Sequence, residues 1–468
     1  MSNKLFYRLG LEDLVEDAPA DEPESLEEIA GESSPESDVL AAEEQGEEVE
    51  GDADDVEAID ADTETMGEVV KGLEAALKSG KPTKDAIVFS NMAINAVNRK
   101  WFGGTTLTVS TESINSPEDA VVASMEGALD KIKELGRALI EKLKKLWNTF
   151  SGWIKSVFDG SAKLTARANA LAKKADEMAG KAAGTVDFKE SNTGLLETLE
   201  INGKLNKATV VAGTASVASL MAALGSSALI AADMGAIGDK VFKATDIDAA
   251  NSAAGEGVKQ LNTAYENVLK PLDGMVVITN PSRAPESATV ARGKKILPGN
   301  NGLYIIIPSG ETPKDLGEAS RMFGKYKFTI MDLLSGADRK LEGEAIAPKD
   351  VKVLATAAAG IFEKIGSYKK AYAQREHLRG LVIKQLESSA KEATGNNEGD
   401  KARIAQERSN FARAFGTAWS ALVSADYMVV NYVQKTAKAY LAYGDLCLKA
   451  AGGGEKAEEP KKEEPAAA

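Results

Sequence analysis

Residues 105–158 read TTLTVSTESINSPEDAVVASMEGALDKIKELGRALIEKLKKLWNTFSGWIKSVF, and this stretch decides the fold class. Asn115 or Ser116 ahead of Pro117, Glu118 and Asp119 is a helix start, with proline in the first turn and acids at the positive end of the helix dipole. Apolar or small residues then recur at Leu129, Ile132, Gly136, Leu139, Leu143, Leu146, Phe150, Trp153 and Val157. Steps alternating three and four make a heptad seam, weakened only at Gly136. Residues 129–159 hold seven basic and four acidic side chains, so this helix is cationic in a chain of net charge −15. At about 1.5 Å per residue it spans roughly 43 Å, which fits a bundle or coiled-coil element. The helix is expected over 117–158, closed by Asp159-Gly160.

Upstream of the junction, residues 1–112 hold 8 Lys/Arg and 28 Asp/Glu, a net of −20. The remaining 48 basic and 43 acidic residues give +5. The excess acid is therefore confined to a leader, and losing it would reverse the sign of the protein. Residues 17–66 hold too few large apolar side chains to offset chain entropy and read as disordered. Leu5, Phe6, Leu9, Leu11 and Leu14 give residues 1–20 the character of a docking peptide. The N-terminus has no apolar core of a secretory signal. Helical period returns over 67–100, in two short helices, before WFGGTTLTVSTES, an extended stretch punctuated by Gly103-Gly104.

Downstream, residues 162–183 read as a second helix and 195–205 as a short third. Residues 208–232 carry no charge. That length admits a membrane span, but Ala, Gly, Ser and Thr dominate and no aromatic belt flanks it, so a helix buried in a bundle is preferred. Residues 240–268 are amphipathic helix. From 275 to about 331, MVVIT, GLYIIIP and YKFTI are separated by Pro/Gly/Asn clusters, signalling a small insert of three or four strands, with ARGKK (291–295) in a loop. Residues 350–393 and 400–450 read as an antiparallel helical hairpin around ATGNNEGD. Arg403, Arg408 and Arg413 mark its polar side, and Phe411, Phe415, Trp419, Leu422, Tyr427, Val430, Val433 and Leu441 its core stripe. Residues 451–468 are a low-complexity tail. The fold class is thus mainly α: an elongated helical bundle with a small β-rich insert. Its divisions are a leader (1–112), a bundle (113–270), the insert (271–349), the hairpin (350–450) and the tail.

Catalytic and metal signatures are absent: no GxSxG, HExxH, EF-hand, dinucleotide or phosphate-cradle pattern occurs. One cysteine, Cys447, excludes an internal disulfide and points to a reducing compartment and a buried thiol. The single histidine, His377, sits among charges in AQREHLRG. A zinc or Cys–His site built on these two residues is discounted. No catalytic, cofactor or metal residues are assigned, and the chain is expected to be no enzyme.

The FYRLGLED-type start, the acidic low-complexity leader, the Ser-Thr-Glu and Ser-Met-Glu tripeptides and the Lys/Trp helix together resemble the internal head (inner-body or prohead-core) proteins of large tailed bacteriophages. The resemblance spans residues 1–160. In that family a prohead protease cuts core proteins after Glu, two residues beyond a small or aliphatic residue. Carried over, it implies cleavage at Ser110-Thr111-Glu112, before Ser113, with Ser124-Met125-Glu126, before Gly127, as second choice. Ser25-Leu26-Glu27, Ser34-Pro35-Glu36 and Ala390-Lys391-Glu392 are weaker matches. It also implies a structural virion protein made in the host cytoplasm, processed by the protease and packed inside the capsid. Its expected partners are other head or core proteins, its own long helices, and DNA through weak non-specific contacts. The alternative is a membrane-active, pore-forming-like helical protein, drawn from Trp147, Phe150, Trp153 and the 208–232 run.

Overall fold

The computed structural model describes residues 84–102, 117–188, 192–278, 287–333, 340–393 and 400–452, together with helical residues 62, 66, 69, 72, 73 and 75–77 ahead of them. Its elements are α1 (Lys84–Phe102), α2 (Pro117–Glu177), α3 (Thr193–Leu199), β1 (Lys204–Leu205), α4 (Lys207–Phe242) and α5 (Ile247–Val268). After these come β2 (Met275–Val277), β3 (Ala288–Gly293), β4 (Asn301–Pro308), α6 (Leu316–Phe323), β5 (Lys327–Asp332), β6 (Glu342–Gly343), α7 (Pro348–Ala393) and α8 (Asp400–Gly452). The mainly helical class with a small sheet is what the periodicity predicts.

The long helix is longer than expected. α2 runs for 61 residues, roughly 92 Å, straight through Asp159-Gly160. Its continuity comes from α7, which lies antiparallel along it. Asn148 accepts from Arg379, Ser151 meets the Tyr372 hydroxyl at 3.0 Å, and Lys369 pairs with Asp159 at 2.9 Å. Lys352 pairs with Asp176 at 2.7 Å. Phe158 packs edge-on against Tyr368 and Tyr372. A Cβ at Gly366 would come within 2.9 Å of the Ser161 hydroxyl, so the two backbones meet just where the local sequence favours a break. Tertiary packing thus overrides the Asp-Gly signal, and no separate helix begins at 162.

The buried seam also drifts. Leu129, Ile132 and Val157 are buried as the heptad reading requires, but Leu146 and Trp153 are only half-buried. Trp147, Ser151, Ile154 and Phe158 take the interior instead. A strict seven-residue repeat slips about 20° per heptad on a straight α-helix. Four heptads displace it by nearly one residue's rotation.

α4 and α7 start side by side. β1 pairs in parallel with β6 (Lys204 with Glu342, Leu205 with Gly343), and each short strand feeds its helix. Lys207 bridges to Asp350 at 2.8 Å across the two helix starts. Asn206 caps α4 by accepting from the amides of Ala208 and Thr209, and Thr209 reciprocates at the Asn206 amide. The uncharged 208–232 run therefore lies within one 36-residue helix, packed against α5, α7 and α8. The 240–268 stretch divides where Asp246 caps α5 through the Ala249 amide, 2.8 Å away.

The insert is a four-stranded antiparallel sheet in the order β2-β3-β4-β5, with α6 between β4 and β5. Arg292 of the ARGKK stretch is within β3, opposite Tyr304, and not in a loop. Lys295 reaches back to Ser219 of α4 at 2.9 Å. The sheet joins the bundle through Tyr326, whose hydroxyl donates to the Val258 carbonyl of α5, and through the Ile330 amide, which donates to Met428 Sδ of α8. α8 is the most enclosed helix. All eight residues of its expected stripe are buried, and Phe411 and Phe415 join Phe242 and Phe323 in an aromatic cluster. Of the three arginines expected on its polar side, Arg408 and Arg413 are half-buried and the Arg408 guanidinium donates to the Ala244 carbonyl, while the Arg403 side chain lies outside the described residues. The segments expected as separate bundle, insert and hairpin share one hydrophobic core.

Cys447 belongs to that core and accepts from the Ile346 amide. Burial pushes its thiol from the ordinary 9.0 up to about 11. A folded-state value above the unfolded one favours the protonated form, so this contribution to stability is lost as pH rises from about 9 to about 11. Tyr265, Tyr326, Tyr440 and Tyr443 are raised by burial too and act in the same direction. Cys447 is expected to resist iodoacetamide at pH 8 and to react stoichiometrically once urea unfolds the chain; mass spectrometry reads both states.

Candidate processing junction and its supports

The first-choice processing residues, Ser110, Thr111, Glu112 and Ser113, lie outside the described residues, between the end of α1 and the start of α2. Ser25-Leu26-Glu27 and Ser34-Pro35-Glu36 lie outside them as well. The second choice lies in the early turns of α2. There Ser124 is buried, Glu126 is exposed and Gly127 is half-buried. Proteases take extended backbone, so a cut before Gly127 requires these turns to unwind and Ser124 to leave the interior. Ala390-Lys391-Glu392 falls in the last turn of α7.

The structure adds what the sequence reading lacked, a non-covalent link across the first-choice junction. Met66, Val69, Leu73, Ile94 and Val97, all from the expected leader, are buried in the same core as Leu129, Ile132 and Leu135 of α2. Burying each such side chain favours association by roughly 1.5–3 kcal/mol. At the end of α1, Lys100 Nζ and Trp101 Nε1 both donate to the Asp62 carboxylate, at 2.7 and 2.6 Å. Lys142 of α2 sits 4.4 Å from the centre of the Trp101 ring. Asp62, Trp101 and Lys142 thus form a clasp joining the chain before Glu112 to the helix after it. Residue 112 is consequently no boundary in packing.

The charge moves with this finding. All of the net −20 lies before Asp62, while residues 62–112 hold six acidic and six basic side chains. An acidic segment is thus tethered through a neutral, docked helical segment. Trp101→Ala is expected to cost roughly 2–3 kcal/mol, less than a fully buried tryptophan because the ring is half-exposed and its cation–π contacts are worth about 0.5–1 kcal/mol each. Denaturant unfolding followed by tryptophan fluorescence measures it; an unchanged midpoint would show the clasp to be ornamental.

Deeper in the bundle, Arg375 of α7 forms a buried ion pair with Asp426 of α8, at 5% and 2% side-chain exposure. Its guanidinium also donates to Ser227 Oγ of α4 and lies over the Tyr368 ring, 5.6 Å from the centre. The Ser227 hydroxyl donates to the Leu224 carbonyl at 2.7 Å. Burial lowers the Arg375 pKa and raises that of Tyr368, each away from its charged form. Three helices meet at this cluster. Local periodicity could not have found it, because Arg375 and Asp426 each look like one more charge on a helical face.

Among the described residues no group of His, Cys, Asp and Glu could hold a metal ion. Cys447 is buried, and His377 lies on α7 with its side chain outside the described residues. A family model described as phiKZ-like phage internal head proteins matches residues 37–446. The chain belongs to that family. No curated protein and no solved structure matches it. This internal head protein is located inside the phage capsid, as the bacteriophage resemblance implies. The family match runs from the acidic segment to α8 and so covers the insert and the hairpin, neither of which entered the resemblance read over residues 1–160.

Proposed function

We propose that this internal head protein is a non-enzymatic structural component made with an acidic propeptide, and that a prohead protease removes the propeptide by cutting after Glu112. The observation that carries the reading is the segregation of charge: a net −20 ahead of Asp62 against a net +5 for residues 113–468. Before the cut, the acidic segment repels nucleic acid and offers a surface for basic partners in the DNA-free prohead. After it, the cationic body contacts packed DNA weakly, without base readout and with strong salt dependence. The clasp refines this picture. A cut at Glu112 frees the chain covalently but leaves Asp62, Met66, Val69, Leu73 and α1 docked on α2, so release of the propeptide is a second step that needs this contact broken or the docked piece digested. Intact mass and N-terminal sequencing of the protein from mature heads test the proposal. A start at Ser113 supports it; finding only the 468-residue chain sinks it.

A second reading, a membrane-active helical protein, is favoured by one observation. α4 is the one described helix long and apolar enough to cross a membrane, and only half of its most apolar window is buried. Flotation of the purified chain with liposomes tests that reading.

A further inference from the structure

The middle of α2 concentrates positive charge. Residues 142–175 hold eight basic side chains and a single acid, Asp159, which Lys369 of α7 already pairs. Four of the eight are engaged within the fold: Lys142 at the Trp101 ring, Lys144 with Glu141, and Arg167 and Lys174 beside Asp445 of α8. The other four, Lys145, Lys155, Lys163 and Lys173, are exposed and pair with no acid among the described residues.

Their spacing makes one strip. Lys145 and Lys163 are 18 residues apart, five turns of helix, and so are Lys155 and Lys173. The four therefore lie on two lines, roughly 80° apart on the solvent side of α2, and they alternate every 12–15 Å or so over roughly 42 Å. Between the lines, besides Asp159, lie Gly152, Ala166 and Ala170, so no bulky side chain obstructs a chain laid along the strip.

We infer that in the uncut protein this strip holds the chain's own acidic segment, residues 17–61, which lie outside the described residues. Three observations select that occupant. The segment has nineteen acidic and no basic side chains, so its charge is the complement of the strip. Its end is anchored at the head of the strip, because Asp62 accepts from Trp101, and Trp101 carries Lys142, less than one turn before Lys145. Its length also fits: a flexible chain of this size spans roughly 35–40 Å, close to the distance it has to cover. The anchor gives the segment an effective concentration on the order of millimolar, which a free polyanion has to exceed.

The inference rests on the charge segregation argued above and not on the cut at Glu112. It names what the acidic segment does beforehand: it covers the cations of α2 that would otherwise meet DNA. The contact is one of charge, so it weakens as the screening length falls from about 10 Å at 0.1 M salt to about 3 Å at 1 M.

Zero-length carbodiimide coupling of the dilute full-length chain tests this, because it joins a carboxylate to an amine only where the two touch. At low salt the monomer is expected to carry amides from residues 17–61 to Lys145, Lys155, Lys163 and Lys173, located by mass spectrometry, with a yield at least tenfold lower at about 1 M salt. Lys155→Gln combined with Lys163→Gln should lower the yield at the two remaining lysines as well, with an unchanged circular dichroism spectrum. Three results overturn the inference. One is coupling only between chains, falling on dilution, which would give the strip to a second copy's acidic segment. Another is coupling spread over exposed lysines elsewhere, such as Lys349 and Lys384 of α7, which would reduce the attraction to a diffuse one. The third is a strip that couples to nothing of its own chain yet binds a DNA duplex at low salt, with binding lost in the double variant. None of these alters where the chain starts in mature heads, so the mask and the cut fail separately.

Discussion

Heads assembled with Glu112→Gln are expected to retain the protein at its full 468 residues, where wild-type heads are expected to carry a chain that begins at Ser113. A protease pocket that reads glutamate pairs the carboxylate with a cation, and an amide leaves that cation unpaired. Losing one partner of a buried pair costs about 3–5 kcal/mol, so cleavage at this position should slow at least about a hundredfold. The retained segment would hold the protein at −15 instead of near +5. Packed DNA should then lie against a repelling surface, and less of the protein should remain with the DNA when heads are opened at low salt. Intact mass from purified heads reads the first effect, and co-sedimentation with released DNA reads the second. A wild-type chain starting at Gly127 would move the cut into α2 and imply that its first turns open in the prohead. A wild-type chain starting at Ser113 that is still accompanied by residues 62–102 would show the clasp outlasting the cut.

The second large effect is expected at Asp426. Asp426→Ala leaves the Arg375 guanidinium buried between α4, α7 and α8 with Ser227, the Leu224 carbonyl and the Tyr368 ring but no counter-charge among the described residues. Removing one member of a buried pair costs about 3–5 kcal/mol, a large share of the net stability of any domain. Replacing both, as Arg375→Met with Asp426→Leu, removes the charges together and should bring the unfolding midpoint back to wild type or above it. Denaturant titration by circular dichroism separates the two variants. Equal destabilisation of single and double variants would mean that the pair fixes the register of the three helices as well as neutralising its own charge.

Much of the architecture was legible because helices and strands announce themselves locally. The start of α2 at Pro117, the strands of the insert and the aromatic stripe of α8 follow from spacing and turn chemistry within a few residues of each position. So does the acidic segment, since charge is a count. The candidate junction was legible in part. The Ser-Thr-Glu and Ser-Met-Glu tripeptides can be read directly, but that Ser124 lies buried in a helix depends on what packs over it. The clasp was not legible at all: Asp62, Trp101 and Lys142 are separated by about 40 residues at each step, and nothing in their neighbours marks them.

The sequence by itself determined which segments are helix, which are strand, and where the negative charge resides, since each depends on periodicity, turn residues or composition along a short window. Only the tertiary structure decided that α2 continues through Asp159-Gly160, that its inner face is Trp147 and Ile154 rather than Leu146 and Trp153, and that Met66, Val69, Leu73, Ile94 and Val97 of the expected leader pack against the body. It alone also joined Arg375 to Asp426 and Ser227. The reason is physical. Secondary structure is selected by interactions within a turn or two, whereas the partner of a face, a charge or a glycine is chosen by whichever distant segment the fold brings against it.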